Sequence, residues 1–153
     1  MEMSPELMTA WGKFGGAAAL SLAAVGSALG AGSAGPAAIG AWKKAYATGK
    51  TAPFTLVTFV GAPLSQTIYG MILMNQLIKT ATSTPTLFPM LIAAGIFGGL
   101  GMGFSAWYQG RAGAAASDAL GETGKGFGNY LMVLGIIETV ALFVMVFLLM
   151  GVK

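Results

Sequence analysis

Glu138 is the residue from which any chemistry of this chain has to start. It is the one charged side chain in residues 126–152, a run otherwise rich in Leu, Val, Met and Phe. A charge at the centre of a bilayer helix costs ~2.5–3.5 kcal/mol on insertion scales, and acids at such positions mark ion or proton pathways. No Lys or Arg falls at a comparable place in another apolar run to pair with it. A second group of polar residues lies in residues 51–78. Ala62, Ser65, Gln66 and Tyr69 follow the spacing i, i+3, i+4, i+7, which is one face of a helix. That face carries a hydroxyl, an amide and a phenol. Pro63 also removes a backbone donor and leaves a carbonyl one turn earlier unpaired. Gln109, near the end of the next apolar run, adds another amide oxygen. Taken singly, Ser65, Gln66 and Gln109 fit interhelical hydrogen bonds better than ligation. Beside Glu138 they make a shell of oxygens suited to a hard cation. One carboxylate against one monovalent charge is neutral, so occupancy would remove the cost of burying the acid.

The elements that must position these groups are delimited by charge. Residues 14–42, 51–78 and 80–110 contain no charged side chain, and 126–152 contain Glu138 alone. About 20 apolar residues cross a hydrocarbon core, so each run is long enough for a span, with turns left to tilt or project. The reading is an all-α membrane protein of four transmembrane helices. Short polar connections at Lys43–Thr51, Lys79–Pro85 and Asp118–Lys125 make successive helices antiparallel neighbours. The first and third connections with their flanks hold Lys43, Lys44, Lys50, Arg111 and Lys125, against Lys13, Lys79 and Lys153 on the other side. The positive-inside rule then puts loops 1–2 and 3–4 in the cytoplasm and both termini outside the cell membrane. The start, Met1-Glu2-Met3-Ser4-Pro5-Glu6, is acidic where a cleavable signal is basic, so the first helix reads as a retained span.

Composition agrees and excludes several classes. The chain of 153 residues is 56% hydrophobic and 8% charged, against about 25% charged in soluble domains. With no Cys and no His, disulfides, thiol catalysis and the usual zinc sites and general base are absent. The net charge of +3 comes from scattered loop lysines, not from the clustered basic face that nucleic acid requires. Gly49-Lys50-Thr51 resembles the end of a phosphate-binding loop, but Lys44 stands where that pattern needs glycine. The GxG pairs lie inside apolar helices, where a dinucleotide site has no context. No nucleotide site is expected.

The chain also repeats itself. Ala47-Thr48-Gly49-Lys50 matches Glu122-Thr123-Gly124-Lys125, and Leu29-Gly30-Ala31-Gly32 matches Leu100-Gly101-Met102-Gly103. Gly61-Ala62-Pro63-Leu64-Ser65 aligns with Gly135-Ile136-Ile137-Glu138-Thr139, which sets Leu64 in the place of Glu138. A single domain, 1–153, thus reads as two fused helical hairpins, about 12–80 and about 86–152. Glycine is concentrated in the first and third spans, at positions including Gly26, Gly30 and Gly32 and Gly99, Gly101 and Gly103. Small residues allow close backbone approach in lipid, so these two helices are expected to pack tightly inside. The Leu-, Met- and Phe-rich second and fourth spans would face lipid or a partner.

These residues together resemble the membrane-ring proteolipid (c-type or K subunit) of V/A-type rotary ATPases, and most of all its bacterial sodium-translocating members. The resemblance covers nearly the whole chain. Pro63, Ser65, Gln66 and Tyr69 are similar to that family's Pro-x-(Thr/Ser)-Gln-x-x-Tyr. Gln109, Gly110, Arg111, Ala114 and Ala115 are similar to Gln-Gly-(Lys/Arg)-x-x-Ala-Ala, and Glu138-Thr139 to Glu-Thr. Ser65 replaces the commoner Thr and keeps its hydroxyl; Leu64 stands where a small residue is often found. The resemblance implies that Glu138 carries the ion. Ser65, Gln66, Gln109 and the Ala62 carbonyl would join it in coordinating Na+, and Tyr69 would hydrogen-bond Glu138 and lock the filled site. It further implies a homo-oligomeric ring in membrane lipid, turning against a stator subunit that supplies an arginine and coupled through a central stalk to ATP hydrolysis or synthesis elsewhere. The chain itself would be non-catalytic. The nearest alternative is the same ring carrying H+. A different class is a small four-helix transporter with an acidic binding site, which would have a substrate-sized cavity and no large closed ring.

Overall fold

A computed structural model describes residues 3–152. Met1 and Glu2, part of the acidic start, and Lys153, counted with the outer charges, lie outside the described residues. The first helix, α1 (Pro5–Ala47), begins earlier than its uncharged run because Ser4 caps it: the Ser4 hydroxyl accepts from Leu7 N at 3.3 Å and Pro5 opens the first turn. The second span is interrupted. A short α2 (Leu56–Gly61) passes through a 3-10 turn at Ala62–Leu64 into α3 (Ser65–Ser83). Pro63 is the cause, since it has no N–H to continue the α-helical ladder. The third span is α4 (Phe88–Thr123), closed by Gly124 at φ +65°, and the fourth is α5 (Phe127–Gly151). Among the described residues, four helical segments are long and apolar enough to cross a membrane: Pro5–Ala47, Leu56–Ser83, Pro85–Thr123 and Phe127–Gly151. The architecture is all-α, two helical hairpins in one chain, and multi-pass in the membrane.

α1 and α4 form the centre. Gly15 meets Gly95, Gly26 meets Gly103 and Gly30 meets Gly110, so the two helices run parallel with their backbones touching. A Cβ on Gly95 would lie 1.8 Å from the Gly15 carbonyl oxygen, and one on Gly26 would lie 2.1 Å from that of Gly103. Gly99 joins the same seam, against the Ala18 carbonyl. Two of the glycines expected there lie elsewhere. Gly101 faces Val144 of α5, and a Cβ on Gly32 would meet nothing within 4 Å. The reason is helical phase: at about 100° per residue, Gly32 stands roughly opposite Gly30. α3 packs antiparallel on α1, with Gly70 against Ala23 and Gly12 against Ala81. α5 is the least covered helix, burying only Leu134, Ala141 and Met145.

Both ends of the bundle are tied. At the loop end Trp42 Nε1 donates to Pro53 O at 2.8 Å, and Lys44 Nζ pairs with Glu122 at 2.6 Å. The ion pair holds the Glu122 carboxyl below the usual carboxylate range and Lys44 above the usual lysine value, chiefly through their shared hydrogen bond. At the other end Thr80 Oγ1 donates to Val152 O at 2.9 Å, fastening the end of α5 to α3.

Candidate functional site

The 3-10 turn in the second span sets the geometry of the site. Within it the Ser65 N–H closes on the Ala62 carbonyl, and Ser65 Oγ lies 3.0 Å from the same oxygen. One residue on, Gln66 is fully buried, with its Oε1 3.1 Å from Ser65 Oγ. A hydroxyl has one proton, so Ser65 can donate to Ala62 O or to Gln66 Oε1, not to both. Three oxygens therefore lie together around the Ser65 hydroxyl with a single side-chain proton among them, a cradle of acceptors.

One turn further along α3, Tyr69 reaches α5. Its hydroxyl donates to Glu138 Oε1 at 2.6 Å. The other carboxylate oxygen, Oε2, accepts from Gln109 Nε2 at 3.1 Å, and the same nitrogen donates to Leu134 O at 3.1 Å. Each oxygen of Glu138 thus has a neutral donor. The ion pair present among the described residues is Lys44–Glu122, at the end of the bundle, and among those residues Glu138 has no basic partner. Gln109 is fully buried, and its Oε1 accepts from Gln66 Nε2 at 2.8 Å. A continuous chain results: Gln66 donates to Gln109, and Gln109 donates to Glu138.

The structure brings together all six residues singled out by sequence: Ala62, Ser65, Gln66, Tyr69, Gln109 and Glu138. The orientation of Gln109 differs from a ligand-like one. It turns nitrogen, not oxygen, toward Glu138, where that one nitrogen serves both Glu138 Oε2 and the Leu134 carbonyl alongside. A residue not anticipated also belongs here. Ser105 of α4 donates to Ile137 O at 2.8 Å and accepts from Gln66 Nε2 at 3.5 Å. The signal was present: Ser105 is four residues before Gln109, hence on the same helix face, in a span with few polar side chains.

The donor set could hold a small monovalent cation. It offers hydroxyl, amide and carbonyl oxygens with a single carboxylate, and among the described residues no group of three or more Asp, Glu, His or Cys could hold a metal of higher charge. Residues 92–150 match the family model of the ATP synthase C subunit. The match takes in most of α4 and nearly all of α5, and so Ser105, Gln109 and Glu138. Ala62, Ser65, Gln66 and Tyr69 lie outside it, in the first hairpin. No curated protein matches the chain. The matched stretch thus takes in the half-buried carboxylate on the least covered helix.

Proposed function

We propose that this chain is a rotor-ring subunit of a V/A-type ATPase that carries Na+ across the membrane on Glu138. The cradle of Ala62 O, Ser65 Oγ and Gln66 Oε1, linked through Gln109 to the carboxylate, is the observation that carries the reading. A proton carrier needs only a carboxylic acid with a suitable environment. Three converging oxygens sharing one proton are superfluous for a proton and are what a dehydrated sodium ion requires. Loading draws the Glu138 carboxylate and the cradle onto one ion, with Gln109 turning its amide oxygen inward. Tyr69 then holds the carboxylate in that position. Unloading against a stator arginine replaces the ion with another positive charge, so the acid is never left bare in lipid.

In this reading many copies form a ring in lipid, and rotation is coupled through a central stalk to ATP hydrolysis or synthesis by other subunits. The chain is not an enzyme on its own. Both termini face outward, and the connections carrying Lys43, Lys44, Lys50 and Lys125 face the cytoplasm. The test is labelling of purified protein with a carbodiimide that attacks protonated carboxyls, with and without Na+, across pH. Protection of Glu138 by Na+ that weakens at low pH is expected. Labelling that follows pH alone and ignores Na+ would convert the reading to a proton-carrying ring.

A further inference from the structure

We infer that Ser105 is a positioning residue that fixes which way the Gln66 amide points and so keeps the ion cradle open to a cation; this rests on the sodium-carrying reading above. Gln66 can serve the cradle only if its oxygen, not its nitrogen, faces Ser65. The two ends of an amide are nearly the same size, so shape alone does not choose between them; hydrogen-bond partners do. On the far side of Gln66 stand two acceptors, Gln109 Oε1 at 2.8 Å and Ser105 Oγ at 3.5 Å. An NH2 group has two protons, and each has an acceptor waiting.

Ser105 is able to accept because its own proton is committed elsewhere. It donates to Ile137 O at 2.8 Å, the carbonyl immediately before Glu138 in α5. That bond leaves the lone pairs of Ser105 turned toward α3. Ser105 is buried, at 6% exposure, so no solvent competes for it. Ser105 therefore selects the polarity of Gln66 from its position on α4, with its own proton held by Ile137 O. Gln109 alone secures only one of the two amide protons. Without the Ser105 acceptor, the Gln109 bond alone opposes a flip of the Gln66 amide, which would set Nε2 beside Ser65 Oγ and put a donor where the cation belongs.

The experiment is a double-mutant cycle read by Na+ protection of Glu138 from carbodiimide, on the full chain in detergent. Ser105→Ala raises the Na+ concentration for half-protection about fivefold, the scale of one lost neutral hydrogen bond. Labelling in Na+-free buffer at low pH stays as in the parent, which shows an intact Glu138 environment. In a Gln66→Ala background the same change shifts half-protection by less than about twofold, because the group through which Ser105 acts is gone. Ser105→Thr, which keeps the hydroxyl, restores protection toward that of the parent. An equal shift in both backgrounds means that Ser105 only packs α4 on α5, and overturns the proposal. No shift in either background overturns it as well. If the parent protein shows no Na+ protection at all, the sodium reading fails and takes this role with it; parental protection with an unmoved Ser105→Ala sinks the Ser105 role alone.

Discussion

Along α1 and α4, glycines set backbone against backbone, whereas where α3, α4 and α5 meet, the helices are joined by side-chain hydrogen bonds. The first seam contains Gly15–Gly95, Gly26–Gly103 and Gly30–Gly110. The second contains Tyr69–Glu138, Gln66–Gln109, Gln109–Glu138 and Ser105–Ile137. Lipid offers no hydrophobic drive to bring helices together, so association must come from close packing or from polar contacts. This chain separates the two. Close packing makes a core with no room for adjustment, and the polar contacts form a site whose partners can be exchanged. In the proposed reading an ion enters the second seam by replacing hydrogen bonds; nothing can enter the first without moving a backbone.

Substitutions in each seam sharpen that contrast, and the largest effect is expected at Glu138. Glu138→Gln removes the sole charge of the site, so carbodiimide labelling at this position and ion transport by the assembled complex should both be lost. Gly95→Val comes next. Its side chain would be driven into the Gly15 carbonyl, and overpacking of this kind should cost about 3 kcal/mol or more, seen as loss of folded protein in detergent. Gly32→Ala, on the open side of the same helix as Gly15, should leave folding within about 0.5 kcal/mol of the parent. Were both glycine variants equally harmless, the backbone-contact account of the first seam would be wrong. Tyr69→Phe removes one donor to the carboxylate and should weaken Na+ protection roughly tenfold, the scale of a hydrogen bond to a charged group, without unfolding the protein.

The smallest effect is expected from Lys44→Ala, which tests whether the loop end contributes at all. Both partners are more than half exposed, and exposed pairs are worth little. The pH window follows from the signs. Glu122 is held below its usual value, so its contribution is complete above the ordinary carboxylate range and fades as pH falls through the lowered value. Lys44 is raised, so its share is complete below the ordinary lysine value and is lost as pH climbs through the raised one. Thermal melts should therefore separate Lys44→Ala from the parent slightly at neutral pH and not at acidic or strongly alkaline pH. Added salt should shrink even that difference.

Much of this was legible in the residues alone, for identifiable reasons. Charge-free runs gave the spans because lipid forbids charge over ~20 residues, and Ala62, Ser65, Gln66 and Tyr69 gave a site face because helical period is local. What stayed hidden needed the register between helices. Ser105 becomes part of the site only because α4 crosses α5 at Ile137. Gly32 and Gly30, two residues apart, looked equivalent by type and separate only once α4 is in place. Gln109 was visible as a polar side chain, but which end of its amide meets Glu138 depends on the Leu134 carbonyl of another helix. The long extent of α1 was hidden as well: the uncharged run suggested a later start than Pro5, where Ser4 caps the helix.

The alternation of helix direction has an electrical consequence. α1 and α4 run one way through the bundle, α3 and α5 the other. Each helix carries a macrodipole of about half an elementary charge at either end, so two in each direction largely offset one another. A membrane potential then finds little in the scaffold to pull on. It acts on an uncompensated carboxylate, at about 2.3 kcal/mol per elementary charge per 100 mV traversed, and hardly at all on a carboxylate neutralised by one monovalent ion. In the sodium-carrying reading proposed above, the voltage would therefore be felt where Na+ and the stator arginine change places on Glu138, and hardly at all while the site is filled.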